Sequence, residues 1–248
     1  MGKKKYNKKQ IKTILSIIAL IIVAIASYFN IDIEKFFNSE ENKYKISYST
    51  SFDLSTIPEY DGINAYVVLN DNKPDFDESY FLSETFEEYS ELDYLNRCGP
   101  AFANIGIEIM PTEERGEIGQ VKPSGWKTIK YDNVDGKYLY NRCHLIGYQL
   151  TGENANEKNL ITGTRYMNVQ GMLPFENMVA DYIDETENHV LYRVTPIFEG
   201  ENLVANGVQI EAKSVEDNGE GICFNVYVYN VQPGITIDYS NGNSNLSM

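Results

Sequence analysis

The sequence predicts an α+β domain, because strand-like segments come first, one amphipathic helix follows, and strands return, with no internal repeat. Three observations carry this. Tyr138–Ile146 is an aromatic and aliphatic run that reads as a strand leading into a loop. Over Phe175–Thr186, Met178, Val179, Tyr182 and Ile183 recur on one side at helical spacing, and Pro174 suits the first turn. Val190–Pro196 and Gly221–Val231 are strand-like, the second bounded by Pro233-Gly234.

The earlier elements are shorter. Ala65–Leu69 is a first strand or hairpin arm that ends in the turn-forming Asn70–Pro74. Residues 75–95 are acidic, and Ser83–Glu88 is compatible with a helix. Gly99-Pro100 breaks the chain, and Ala101–Ile109 is apolar enough for a core strand. Residues 116–125 form a loop punctuated by glycine, and 152–159 form a polar loop.

The N-terminus reads as a targeting device. Residues 1–12 hold six lysines and no acid, and 13–31 hold no charge at all. An apolar run of that length can cross a hydrocarbon core as a helix, with the lysine-flanked end in the cytoplasm. Ala24-Ile25-Ala26 keeps a cleaved signal peptide open as the alternative; the length of the run favours the anchor. Residues 32–58 are polar and rich in serine, as a stalk would be, which leaves 59–248 as the folded domain outside the cell.

Charge limits what that domain can do. The chain carries −15, of which the first dozen residues supply +6, so the remainder carries −21. Such acidity argues against tight static binding of a polyanion, since phosphate contacts supply much of that affinity. It leaves room for an enzyme with a local basic strip. Segment 111–147 is that strip, with Arg115, Lys122, Lys127, Lys130, Lys137 and Arg142 against five acids. The three cysteines, Cys98, Cys143 and Cys223, allow at most one disulfide, and none has zinc-ligand spacing.

Only two histidines are present. His189, which precedes Val190-Leu191-Tyr192, is expected to be structural. His144 closes Asn141-Arg142-Cys143-His144. After it come Asn159, then Asn168, then Glu176 eight residues beyond Asn168. This series resembles the DNA/RNA non-specific endonucleases of the ββα-metal (His-Me finger) superfamily, and within them the streptococcal secreted and competence-associated DNases. The family motif is usually Asp-Arg-Gly-His, so Asn141 and Cys143 are departures. The likeness runs from about Ala101 to Asp238 and includes Pro123–Trp126 and Asn230–Gly234.

The resemblance implies a ββα-metal domain with a central antiparallel sheet. It implies His144 as general base, a magnesium ion (with manganese as a substitute) held by Asn168, and Glu176 holding metal-bound water. Arg142 and Arg193 join the candidate catalytic set; Arg165, Asn159 and Lys127 are candidate substrate contacts. Products would carry a 5′-phosphate and a 3′-hydroxyl. The chemistry suits these residue types. Neutral histidine accepts a proton near physiological pH, an amide oxygen suits a hydrated magnesium ion, and arginine clamps phosphate. A Cys143–His144 nucleophile pair is disfavoured, because neighbours on a strand point to opposite faces. The rival from another class is a non-catalytic, membrane-anchored surface binding module.

Overall fold

The folded domain is built on an antiparallel sheet whose strands alternate between an apolar face and a mixed one. A computed structural model describes residues 57–81 and 84–247. The basic segment 1–12, the apolar run 13–31 and nearly all of the stalk lie outside the described residues. Among the described residues, no helix is long and apolar enough to cross a membrane.

Ten strands are present among the described residues: β1 (Tyr66–Val68), β2 (Phe86–Tyr89), β3 (Ala101–Ile105), β4 (Tyr140–His144), β5 (Leu160–Thr164), β6 (Val190–Ile197), β7 (Gly207–Ser214), β8 (Cys223–Tyr229), β9 (Ile235–Asp238) and β10 (Asn243–Leu246). The helices are the short α1 (Tyr148–Thr151) and the longer α2 (Leu173–Thr186), which continues a π-helical turn, Met167–Met172. Six strands make one sheet in the order β1-β8-β7-β6-β3-β2, each pair antiparallel.

Alternation decides which face is buried by what. Ala101, Ala103, Val190, Tyr192, Val194, Val208, Ile210, Val226 and Val228 form one face, and α2 packs on it through Phe175, Val179, Ala180 and Ile183. Val179 and Ile183 are fully buried, each contributing roughly 1.5–3 kcal/mol by removal from water. The opposite face carries Phe102, Arg193, Gln209, Glu211 and Asn225. Residues 70–81 run across it, with Phe76 stacked on Phe102 at 5.6 Å and the Asp75 amide donating to Glu211.

Beside this sheet, β4 and β5 form a separate two-stranded ribbon, in register Arg142↔Thr162 and His144↔Leu160. Asn230 ties the ribbon to the main sheet. Its amide donates to the carbonyls of Thr162 and Ala205, and its Oδ1 accepts from the Thr164 amide. Ribbon, π-helical turn and α2 follow in sequence, so the chain contains a ββα unit laid on a central antiparallel sheet.

Ser83–Glu88 is a correction to the sequence reading, because Phe86–Tyr89 is a strand and not helix. Pairing with β3 lets Phe86 pack on Phe102 at 5.1 Å, which outweighs the local helical preference of the glutamates.

Gly163 marks the tightest point of the ribbon. A Cβ there would collide with Cys143 Sγ and Met167 Cε. Gly163→Ala should therefore destabilise the domain by about 1–3 kcal/mol in a denaturant titration. Combined with Cys143→Ala, which vacates the space, it should cost less than the sum of the single changes; strict additivity would show that the crowding is not where it is placed here.

Candidate active site

Strand β4 aims the chemistry. Arg142 and His144, two apart, share one face of the ribbon, while Cys143 points into the core. Cys143 is fully buried, and burial pushes its thiol well above the ordinary range. It is a packing residue, not a thiolate nucleophile beside His144.

The cleft in front of the ribbon has a volume of about 750 Å³. His144, Arg142, Asn168, Glu176 and Arg165 all line it, together with Arg115, Trp126 and Tyr148. Asn168 reaches it from the π-helical turn and Glu176 from the first turn of α2. Gly147 lets Glu176 approach, since a Cβ at Gly147 would lie 2.8 Å from Glu176 Oε2.

His144 is buried to 6% exposure and gripped on both ring nitrogens. Nε2 lies 2.7 Å from the Asn154 carbonyl, and Nδ1 lies 3.4 Å from Arg115 Nη2. A carbonyl can only accept, so Nε2 carries the proton and Nδ1 keeps its lone pair. Burial pushes the imidazole down to about 4, with the Arg115 charge adding to the effect against the Asn154 bond. It is neutral at physiological pH. Burial pushes Glu176 the other way, up to about 7, with Arg115 opposing.

Arg142 is held in place from below. It donates to the carbonyls of Val121 and Gly119, and its guanidinium lies 4.0 Å from the centroid of the Trp126 ring. Arg165 donates from Nε and Nη2 to one oxygen of Asp135, Oδ2, at 2.9 and 2.8 Å. The Asn168 side chain makes no hydrogen bond among the described residues, leaving its amide oxygen available at the cleft.

Three expected site residues stand elsewhere. Arg193 is on the far face of the sheet, in a two-nitrogen contact with Glu211 at 2.7 and 2.9 Å, because alternation on β6 turns it away from the ribbon. Asn159 is fully buried: its Oδ1 accepts from the Ile146 amide and its Nδ2 donates to the Ile146 carbonyl, both at 2.9 Å. It braces the chain after His144 and is not among the cleft-lining residues. Lys127 is exposed and is not among the cleft-lining residues, although its neighbours Trp126 and Thr128 are. His189 is buried and pairs with Glu216 at 2.5 Å, in keeping with a structural role.

Arg115, Asn154 and Gly147 were not singled out as site residues in the sequence. The one available signal was the basic excess of segment 111–147, which contains Arg115. Nothing local marks Asn154, whose contribution is a backbone carbonyl.

The comparisons with known proteins agree with this geometry. A family model described as DNA/RNA non-specific endonuclease matches residues 78–216. The solved structure of NucA from Streptococcus agalactiae with magnesium ion bound is similar at 25% identity and a TM-score of 0.67, over 86% of this chain and 96% of that one. The Sda1 nuclease with bound zinc ion is similar at 27% identity and a TM-score of 0.61, over 74% of this chain and 97% of that one.

The grip on His144 has a measurable consequence. By NMR its imidazole should titrate near pH 4, and a midpoint near the free value of about 6.5 would contradict the burial and the Arg115 contact. The linked stability follows. As pH falls from about 6.5 toward 4, the unfolded chain takes up a proton that the folded chain refuses, so this group makes stability fall over that window.

Proposed function

The chain belongs to the DNA/RNA non-specific endonuclease family, and from that premise we propose that it hydrolyses phosphodiester bonds of DNA, with RNA as an alternative substrate, using His144 as general base. The observation that carries this reading is that His144, Asn168 and Glu176 line one cleft with three arginines, Arg115, Arg142 and Arg165.

A phosphodiester repels hydroxide and offers a poor leaving group. A base must take the proton from water, and positive charge must meet the phosphate oxygens. Nδ1 of His144 carries the ring's lone pair, which accepts weakly from Arg115 at 3.4 Å until a phosphate draws that guanidinium away, and the Asn154 carbonyl holds the ring in this tautomer. The low proton affinity of the free ring keeps it unprotonated. A phosphate beside Arg115 offsets that guanidinium's charge and raises the basicity of the neighbouring imidazole when substrate is present. Arg142 is already oriented by Trp126 and two carbonyls, so it loses little freedom on clamping phosphate. Arg165 can exchange Asp135 for a phosphate at the same cleft.

The site fits a hydrated divalent cation. Among the described residues, no cluster of three or more His, Cys, Asp or Glu side chains could hold a metal. An unpaired Asn168 amide and the Glu176 carboxylate offer few protein ligands, all oxygen, which suits magnesium with most of its water retained and manganese as a substitute. When bound there, the cation offsets charge on the phosphate and on the leaving oxygen. Asn168 would hold it, and Glu176 would hold its water. The products expected are a 5′-phosphate and a 3′-hydroxyl.

The same reading takes the lysine-flanked run 13–31 as a membrane anchor, with the nuclease domain outside the cell. Protease added to intact cells should then remove the domain; full protection would refute this topology. Recovery from the medium of a form that starts near Ser27 would favour a cleaved signal.

A plasmid-nicking assay tests the chemistry. EDTA should abolish cutting and magnesium or manganese should restore it. His144→Ala should lose about 10²- to 10⁴-fold in rate while staying folded, and Asn168→Ala should lose orders of magnitude. His189→Ala should instead lower thermal stability and leave the rate of the folded fraction nearly unchanged. A dead His189→Ala beside a fully active His144→Ala would overturn the assignment.

A further inference from the structure

Two aromatic rings line the cleft, and one of them, Tyr138, has no part in the reaction as described. Trp126 is the only tryptophan of the chain, and it lines the cleft with Arg142 against its face. Tyr138 also lines the cleft. It remains 46% exposed, with Lys130 Nζ 4.4 Å from its ring centroid.

Both rings have a firm backing. Trp126 packs on a small buried cluster that includes Val134, Leu139 and Ile235. Leu139 is fully buried, so its neighbour Tyr138 is turned outward, and the Lys130↔Tyr138 bridge fixes the backbone there. An outward ring held this way is not explained by core packing.

The charge of the molecule says what such rings are for. An enzyme of net −15 gains less from phosphate contacts than a basic one would, and the acids outside segment 111–147 oppose the approach of a polyanion. Stacking between a base and an aromatic ring adds affinity that depends little on charge and on base identity. In a duplex the faces of each base are already covered by its neighbours. Only unpaired nucleotides present a free face.

We infer that Tyr138 forms a base-stacking subsite beside the scissile phosphate, next to Trp126, whose faces are taken by Arg142 and the buried cluster, and that the favoured substrate is a strand with unpaired nucleotides at that point. This rests on the nuclease reading of the same cleft.

The test uses full-length His144→Ala protein, two single-stranded oligonucleotides of equal length, and the fluorescence of Trp126. One oligonucleotide carries its bases and the other is abasic throughout, so the phosphates are matched. Wild-type protein is assayed for cutting of the base-bearing strand in parallel. The expected result is cutting by wild type, quenching of Trp126 by the base-bearing strand, and roughly tenfold weaker binding of the abasic one. Adding Tyr138→Ala should erase most of that difference. In otherwise wild-type protein, Tyr138→Ala should lower kcat/KM on the single strand about tenfold and leave the matching duplex unchanged. If wild type cuts but the two strands bind alike, or Tyr138→Ala slows both substrates equally, the stacking subsite is wrong and the nuclease reading stands. If wild type cuts nothing and neither strand binds, both fall.

Discussion

The two hydrogen bonds between the Asn159 side chain and the backbone of Ile146 hold the rest of the site in place. The ladder between β4 and β5 ends at the His144↔Leu160 pair. Beyond it the chain must turn toward α1 while its buried amide and carbonyl still need partners. The Asn159 amide supplies both, and its own carbonyl accepts from Leu145 at 2.8 Å. One residue, by its backbone and its side chain, thus continues the pairing by two residues without a strand. His144 is held just before this clamp and Gly147 just after it, so the imidazole and the seat for Glu176 share one rigid mount.

That mount places opposite demands on two titratable groups in one cleft. Burial disfavours charge on both His144 and Glu176, lowering one and raising the other, and Arg115 acts on each. A guanidinium at this point favours the basic form of both side chains. Arg115 thus biases the cleft toward an unprotonated imidazole and opposes the protonation of Glu176 that burial favours, although the molecule as a whole is strongly acidic. Local arrangement outweighs net charge because the three arginines are oriented here, by Asp135, by Trp126 and its neighbouring carbonyls, or by the imidazole itself.

Much of the ββα unit was legible in the sequence. The strand before His144 and the helix after Pro174 were readable from periodicity, and the order His144, Asn168, Glu176 from the resemblance to a known family. What stayed hidden was decided by tertiary contact. Phe86 joins a strand because Phe102 is there to receive it, not because its neighbours favour extension. Arg193 reads like any phosphate-binding arginine until its partner Glu211 appears across the sheet. Asn159 sits at a family position in the sequence, but only the buried backbone of Ile146 shows that it positions the chain from outside the cleft lining. Arg115 comes from a loop whose fold no local pattern specifies.

The π-helical turn at Met167–Met172 bears on how this protein can change. Its wider winding, with the Leu173 amide reaching back to the Asn168 carbonyl, fits one residue more than an α-turn would. An α-helix advances about 100° per residue. Ordinary winding through this stretch would put Asn168 out of phase with the apolar side of α2 by that angle. The helix could then present Val179 and Ile183 to the sheet or Asn168 to the cleft, but not both. Loss of one residue between Asn168 and α2 is therefore the change that ordinary winding can absorb with both sides still in phase, whereas a further insertion would turn the amide away from the cleft, so this turn tolerates a deletion more readily than an insertion.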